Sequence, residues 1–403
     1  MKIVAFFTLE HPAATPSGGI ASYIRAIAPA LEQYGWKAIV ISLQAADPAL
    51  PSIGFRTFVA RSSSWHWYLS KVPVLGKIFA LPLREWEWAK AFHRGLSEAR
   101  KAMNIDLIET HELSARYLRG SGIPFVLRLH GSTYVYRRQL NLSVTISMRW
   151  SHRIVRNACL DANAVTTPSE SYRIASLEGV EPSVSVRVIP NPASTGILDK
   201  GKDNHPPDYG IVLVLGRIAS AKGFSEEMFQ SLLILTTRSP ATQVVLAGPW
   251  QMEFPPEHYG IKFGSLLCSD SIIWIGPIDR AATFDLLGRT SLMLIASRYE
   301  SFGITALEGM AFGIPVVAFD AGGLPEVIGG PKNGVLIENG NYSEFIDASC
   351  KLMRDPEERR RLGQAGRARV QSLFTPGRVA EETVRMYNEI LDRKEVLGQE
   401  AAP

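Results

Sequence analysis

The chain has 403 residues, 46% of them hydrophobic and 20% charged, with a formal net charge of +4. That length exceeds what a single core ordinarily organises, so two domains of roughly 200 residues are expected, and the composition excludes fibrous, low-complexity and disordered classes. No apolar run approaches the roughly 20 residues that span a bilayer, and the three cysteines, Cys159, Cys268 and Cys350, are too scattered for a disulfide framework or a metal cluster, which points to a soluble protein in a reducing, cytoplasmic compartment.

The opening segment MKIVAFFTL is too short for a signal h-region and stops at Glu10, His11 and Pro12, so it reads as a first buried strand. Next, PSGGIASYIRAIAPAL sets Gly18 and Gly19 before an amphipathic helix. Bare backbone N–H groups there can meet an anion at a helix N-terminus, although Gly-Gly before a helix is also an ordinary tight turn. It is not the dinucleotide fingerprint, since GxGxxG occurs nowhere in the chain. Trp65, Trp67, Trp86 and Trp88 then bracket the apolar and basic stretch KVPVLGKIFALPL, a combination seen in interfacial membrane segments and also in excursions packed on their own domain.

Further short apolar runs, WKAIVISL, DLIET, PFVLRLH, AVTTP and VRVIPNP, alternate with helical patterns, as expected of α/β units around a buried parallel sheet. After Pro192 the polar segment STGILDKGKDNHPPDYG interrupts the series and IVLVLGRI restarts it, which marks a domain boundary. The second series continues through TQVVLAGP, SIIWIGPI, SLMLIAS, IPVVAF and GVLIE to a charged helical run from about Asp355. The reading is therefore a first Rossmann-like domain over 1–195, a second over 196–375, and a C-terminal helix in 376–403 that crosses back to the first domain and ends in a frayed tail from about Glu395. In facing doubly wound domains, ligands bind beyond the carboxyl ends of the strands.

The charged and glycine-rich residues fall at such strand ends. Arg217 and Lys222 lie five residues apart after IVLVLG, where a planar fork and a compact cation can hold a diphosphate and stabilise the charge of a leaving group. Glu300 follows SLMLIAS, Ser301-Phe302-Gly303 makes a small turn, and Glu308 falls within the next helix. Backbone amides of Phe302, Gly303 and Ile304 at that helix start can meet a phosphate or sugar oxygen, and Glu308 can accept from two ribose hydroxyls. Gly322 and Gly323 form another bare turn after IPVVAF, followed by Glu326.

Taken together, SGGI, IPNP, GRIASAKG, the Glu300 to Glu308 pair with seven residues between, AFGIPVVAF and GGLPE resemble the retaining glycosyltransferases of family 4, which have the GT-B fold. The resemblance spans nearly the whole chain and implies that Arg217 and Lys222 bind the donor diphosphate, Glu308 the ribose and Glu300 the transferred sugar. It implies that Gly19 approaches the diphosphate from the opposite domain. His130, in VLRLHGST, matches the family's active-site histidine, and His111, in DLIETHELS, matches the second histidine of a His-x-His pattern whose first position here is Glu109. Retention of anomeric configuration, with the leaving phosphate assisting deprotonation of the acceptor hydroxyl, is implied in the same way.

No Asp-x-Asp pair is present, so fixed cations and helix N-termini are expected to replace a divalent metal, with no cofactor beyond the nucleoside-diphosphate sugar substrate, UDP- or GDP-linked. The charge is uneven: residues 1–195 carry 22 Lys/Arg against 13 Asp/Glu, and the remainder 21 against 26. With six of the eight tryptophans also in the first half, that surplus suits a glycan or lipid-linked acceptor of polysaccharide or glycolipid assembly and peripheral contact with the inner face of a membrane. Nucleic acid is not expected, since the surplus is modest and no recognition module occurs. A nucleotide-sugar 2-epimerase shares this architecture, and a non-catalytic nucleotide-sugar-binding protein is the other rival reading.

Overall fold

The structure, a computed structural model, describes residues 1–9, 11–12, 18–43, 56–59, 75–112, 114–118, 120–180, 182, 185–202, 204, 207, 210–264 and 271–400, with side chains omitted for 75–85 and 395–400. Trp65, Trp67 and Cys268 lie outside the described residues, as do the side chains of the 71–83 stretch.

The first half builds a seven-stranded sheet from β1 (Lys2–Thr8), β2 (Trp36–Ser42), β3 (Arg56–Val59), β4 (Leu107–His111), β5 (Phe125–Arg128), β6 (Ala164–Thr167) and β7 (Val186–Val188), in the order β3-β2-β1-β4-β5-β6-β7. Every pairing is parallel. Parallel strands require crossovers, and these are supplied by α1 (Gly19–Leu31), α2 (Leu75–Ala102), α3 (Thr133–Gln139), α4 (Ile146–Asp161) and α5 (Glu170–Ser176). Burial on both faces explains the unbroken apolar runs: in β1, Val4 to Thr8 are all buried.

The segment that follows is not wholly irregular. Thr195–Gly201 forms helix α6, because Ile197 finds a fully buried place in the second core. A second parallel seven-stranded sheet then comprises β8 (Ile211–Leu215), β9 (Gln243–Ala247), β10 (Lys262–Phe263), β11 (Ile272–Trp274), β12 (Thr290–Ile295), β13 (Val316–Phe319) and β14 (Val335–Ile337), in the order β10-β11-β9-β8-β12-β13-β14. Its helices are α7 (Glu226–Arg238), α8 (Arg280–Gly288), α9 (Ile304–Ala311), α10 (Leu324–Ile328), α11 (Tyr342–Arg354) and α12 (Pro356–Leu373). The fold is α/β with two doubly wound domains, and strand order reverses between β1 and β4 in one sheet and between β8 and β12 in the other. Such reversals open the crevices in which α/β proteins bind ligands.

The last helix, α13 (Pro376–Glu400), returns to the first domain, where Val379, Ala380, Val384, Tyr387 and Ile390 bury with residues of α1, β1 and β2. Their three- and four-residue spacing gives the helix one apolar face. Each large apolar side chain buried this way contributes about 1.5–3 kcal/mol. The tail expected from Glu395 is instead helical as far as Glu400.

Candidate functional site

In the second sheet, the reversal brings the ends of β8 and β12 side by side. Arg217 follows β8, and a tight 3-10 turn, Ser220–Lys222, closes at Gly223 with φ +82°. A side chain is excluded at Gly223, because its Cβ would fall 1.7 Å from the Ala296 carbonyl oxygen. The resulting close approach carries Lys222 to the loop that follows β12: its Nζ donates to Glu300 Oε1 at 2.5 Å, and Ser297 Oγ donates to the same oxygen at 2.7 Å. Arg217, Lys222, Glu300 and Ser301 all line one cavity of about 630 Å³. Its other wall comes from the first domain and includes Gly131, Tyr136, Arg137 and Tyr172. Among the described residues, four cationic side chains, Arg137, Arg217, Lys222 and Arg298, line it with a single carboxylate, so it favours anionic ligands.

Helix α9 begins after Gly303, whose φ of +114° only glycine adopts readily. Phe302 turns its ring into the core against Phe374, with centroids 5.9 Å apart, so only its backbone is available to a ligand. Ile304 opens the helix and reaches the opposite domain, where an ideal Cβ at Gly19 would lie 3.6 Å from Ile304 Cδ1. Gly18, extended at φ −88°, caps α1 without any side-chain hydrogen bond. Glu308 accepts from Arg280 Nη1, and Arg280 Nη2 donates to Ser194 Oγ at 2.8 Å. Gly322 and Gly323 lie just beyond β13. They pack beneath Glu300, with Gly323 N donating to the Glu300 carbonyl at 2.8 Å.

His130 and His111 sit on the first domain's side, around a small cavity of about 10 Å³ that also takes in Ile20, Tyr23 and Glu109. The loop bearing His130 is fastened by a buried carboxylate: Glu112 Oε1 accepts from His130 N at 2.5 Å and from Gly131 N at 2.9 Å. Burial, reinforced by the nearby Arg128 charge and by His111, holds the His130 imidazole well below its ordinary pKa, so the ring is neutral near pH 7. Burial likewise lowers His111 to about 4, and the Leu9 N–H donates to its Nε2 at 3.3 Å, a bond that requires the neutral ring. Glu109, which replaces the first histidine of the family pair, is raised by burial and accepts from Tyr387 of α13 at 2.5 Å.

These shifts predict an acid-side loss of stability. A histidine whose folded pKa is depressed favours the folded state fully above its unfolded value near 6.5 and loses that contribution as pH falls toward about 4. For His111 the loss approaches about 3 kcal/mol. Glu109 and Glu112, raised in the folded state by burial, act in the opposite sense, favouring it as pH falls toward their ordinary value of 4.5. Chemical denaturation of the wild type and of His111→Gln across pH 6.5 to 4 isolates the histidine: the variant should show a shallower decline, and parallel curves would refute the assignment.

Several contacts join the domains around the cavity. Glu326 accepts from the backbone N–H groups of Glu170 and Ser171 at 2.7 and 2.8 Å, Ser169 Oγ donates to the Ser301 carbonyl at 2.6 Å, and Tyr136 OH donates to the Ala221 carbonyl. Arg128, buried at the end of β5, donates to the carbonyls of Ile189 and Pro190 and to Asn191 Oδ1, which explains the IPNP segment as a fastened turn. Sequence reading had no hold on Arg280, an ordinary arginine at a helix start, nor on Tyr136. Glu112 was within reach, since it follows His111 at a strand end.

Residues 17–196 match the family model described as Glycosyltransferase Family 4, and residues 198–369 match that described as Glycosyl transferases group 1. The chain is 25% identical over 311 residues to an N-acetyl-alpha-D-glucosaminyl L-malate synthase of Bacillus anthracis, covering 73% of this chain and 78% of that one. It is 28% identical over 217 residues to a D-inositol 3-phosphate glycosyltransferase of Acidothermus cellulolyticus, covering 51% of this chain and about half, 48%, of the relative. Among solved structures, sucrose-phosphate synthase from Thermosynechococcus elongatus superposes with a TM-score of 0.74 at 22% identity, over 98% of this chain and 100% of that one. Anabaena Alr3699/HepE in complex with UDP-glucose superposes with a TM-score of 0.65 at 17% identity, over 98% and 100%.

Proposed function

From the premise that the chain belongs to the family 4 glycosyltransferases of the GT-B fold, we propose that it moves a hexose from a UDP- or GDP-linked donor to a glycan or lipid-linked acceptor, with retention and without a metal ion. The observation that carries this reading is the meeting of Lys222 and Glu300, beside Arg217, in one cationic cavity at the switch point of the second sheet. The solved complexes of Anabaena Alr3699/HepE with UDP and with UDP-glucose support the choice of donor class.

In this mechanism Arg217 and Lys222 hold the diphosphate, and the amides at the start of α9 meet its remaining oxygens. Glu308 accepts from the ribose hydroxyls while Arg280 keeps its carboxylate oriented. Glu300 accepts from a hydroxyl of the transferred sugar. As Lys222 turns to the incoming phosphate, the carboxylate it neutralises is freed for that bond. Neutral His130 stands behind the reacting centre as a hydrogen-bonding partner for the sugar. The bond from the anomeric carbon to the diphosphate breaks, the bond to the acceptor oxygen forms on the same face, and the acceptor's proton passes to the leaving phosphate oxygen. Fixed cations stabilise the charge that develops there.

A thermal-shift screen against UDP, GDP, ADP and their sugar conjugates, with and without Mg²⁺, tests the donor half of the reading. A ligand at about 100 times its Kd should stabilise the protein by about 2.7 kcal/mol. One nucleotide should raise the melting temperature equally with and without Mg²⁺, and Glu308→Ala should abolish the response. Stabilisation that needs the metal would refute the metal-free reading, and no response to any nucleotide would refute the donor site.

A further inference from the structure

The solvent face of α4 has a composition that the proposed transfer reaction does not use. Ile146, Trp150 and Leu160 are 87%, 48% and 52% exposed, although large apolar side chains on a helix ordinarily face a core. Exposed Arg149, Arg153 and Arg156 alternate with them at three- and four-residue spacing, so all six share one stripe. The helix contains no acidic residue before Asp161. Its opposite side already has a partner, since Val155, Ala158 and Cys159 are buried in the first domain's core. Arg149 and Arg153 make no ion pair with a described residue, while Arg156 donates to the Gly179 carbonyl at 2.5 Å. A shallow cavity of about 570 Å³ runs along this stripe, lined by Arg149, His152, Arg153, Arg156 and Leu160 among others.

We propose that this face of α4 seats on an anionic lipid bilayer, with Ile146, Trp150 and Leu160 entering the headgroup boundary and Arg149 and Arg153 meeting lipid phosphates. Charge selects the occupant. Every exposed apolar group here has an arginine beside it and no acidic residue of the helix before Asp161 offsets them, so the complementary surface is anionic and apolar together. A bilayer surface satisfies both sets at one depth, with acyl chains for the apolar groups and phosphates for the guanidinium groups. The surplus of basic residues in the first half adds long-range attraction of the same sign.

The placement also bears on catalysis. Leu142, 45% exposed just before α4, and Arg137 of α3 both line the interdomain cavity, so the seated face ends at the mouth of that cavity. A lipid-linked acceptor could then enter without leaving the bilayer. That last step rests on the glycosyltransferase reading; the binding itself does not. The contact is distinct from the Trp-rich 65–90 segment singled out in the sequence.

The test is co-sedimentation of the full chain with vesicles of phosphatidylcholine alone and of phosphatidylcholine with phosphatidylglycerol. Binding is expected only to the anionic vesicles, accompanied by a blue shift of tryptophan emission that Trp150→Phe diminishes. The pairs Arg149→Glu with Arg153→Glu, and Ile146→Asn with Trp150→Ser, should each weaken partition by at least about tenfold, while melting temperature and nucleotide response stay as in the wild type. Equal partition of wild type and variants would overturn the proposal, as would absence of anionic-vesicle binding. So would self-association abolished by the same variants without any vesicle binding, which would make the face a contact between copies of the chain. Loss of nucleotide response with vesicle binding intact would sink the donor reading and leave this one standing.

Discussion

Glu300→Gln is expected to slow sugar transfer by about 10²–10³-fold while leaving the thermal response to the nucleoside diphosphate nearly intact. The substitution keeps the size of the side chain and removes its charge. In the unliganded protein that charge is shared between Lys222 Nζ at 2.5 Å and Ser297 Oγ at 2.7 Å. In the proposed mechanism Lys222 transfers to the diphosphate and the carboxylate is left facing the sugar, where it can accept from a hydroxyl and stabilise positive charge at the anomeric carbon. Glutamine accepts the first bond and fails at the second. The loss should therefore fall on kcat, and donor KM should change little.

The contrast with Glu308 makes the assignment sharp. Glu308 is fixed by Arg280 on α8 and, in the proposed reading, meets the donor at its ribose, remote from the bond that breaks, so its loss should weaken donor binding. Steady-state kinetics with varied donor separates the two. If Glu300→Gln raised KM with kcat unchanged, Glu300 would be a binding residue only and the proposed role would be wrong.

The architecture was legible because it rests on repetition. Apolar runs such as IVLVL and SLMLI are buried on both faces, and that condition leaves a mark on every strand. Strand-end residues were legible for the same reason: Arg217, Lys222 and Glu300 follow strands, and the switch point gathers them into one cavity. Partners that arrive through tertiary folding left no such mark. Arg280 reaches Glu308 from 28 residues away, and Tyr387 reaches Glu109 from 278 away. Neither distance has a period or motif. The face of α4 proposed to meet a bilayer left no such mark either, because its exposed stripe exists only once the opposite side of that helix is buried.

Gly322→Ala should be among the most damaging single substitutions in the second domain, and it separates two roles for the Gly322-Gly323 turn. Were the turn there to let backbone approach a phosphate, a methyl group would weaken donor binding and spare the fold. The structure places the constraint elsewhere. Gly322 has φ +59°, and a Cβ there would stand 2.0 Å from the Glu300 carbonyl oxygen and 2.9 Å from the Glu300 nitrogen. Both opposing atoms are backbone, so relief requires moving the Glu300 loop itself. The left-handed conformation costs an alanine about 1–2 kcal/mol, and displacing packed backbone adds about 1–3 kcal/mol. Gly260→Ala supplies the control: φ is +68° there and no atom of a described residue lies within 4 Å of the added carbon, so the conformational cost applies without a backbone clash. Denaturant midpoints should fall by roughly twice as much for Gly322→Ala, and transfer activity should vanish in that variant while Gly260→Ala retains it. Equal destabilisation of the two, with activity preserved in both, would show that the turn does not support Glu300. Selective loss of nucleotide binding in a stable Gly322→Ala protein would return the turn to the phosphate.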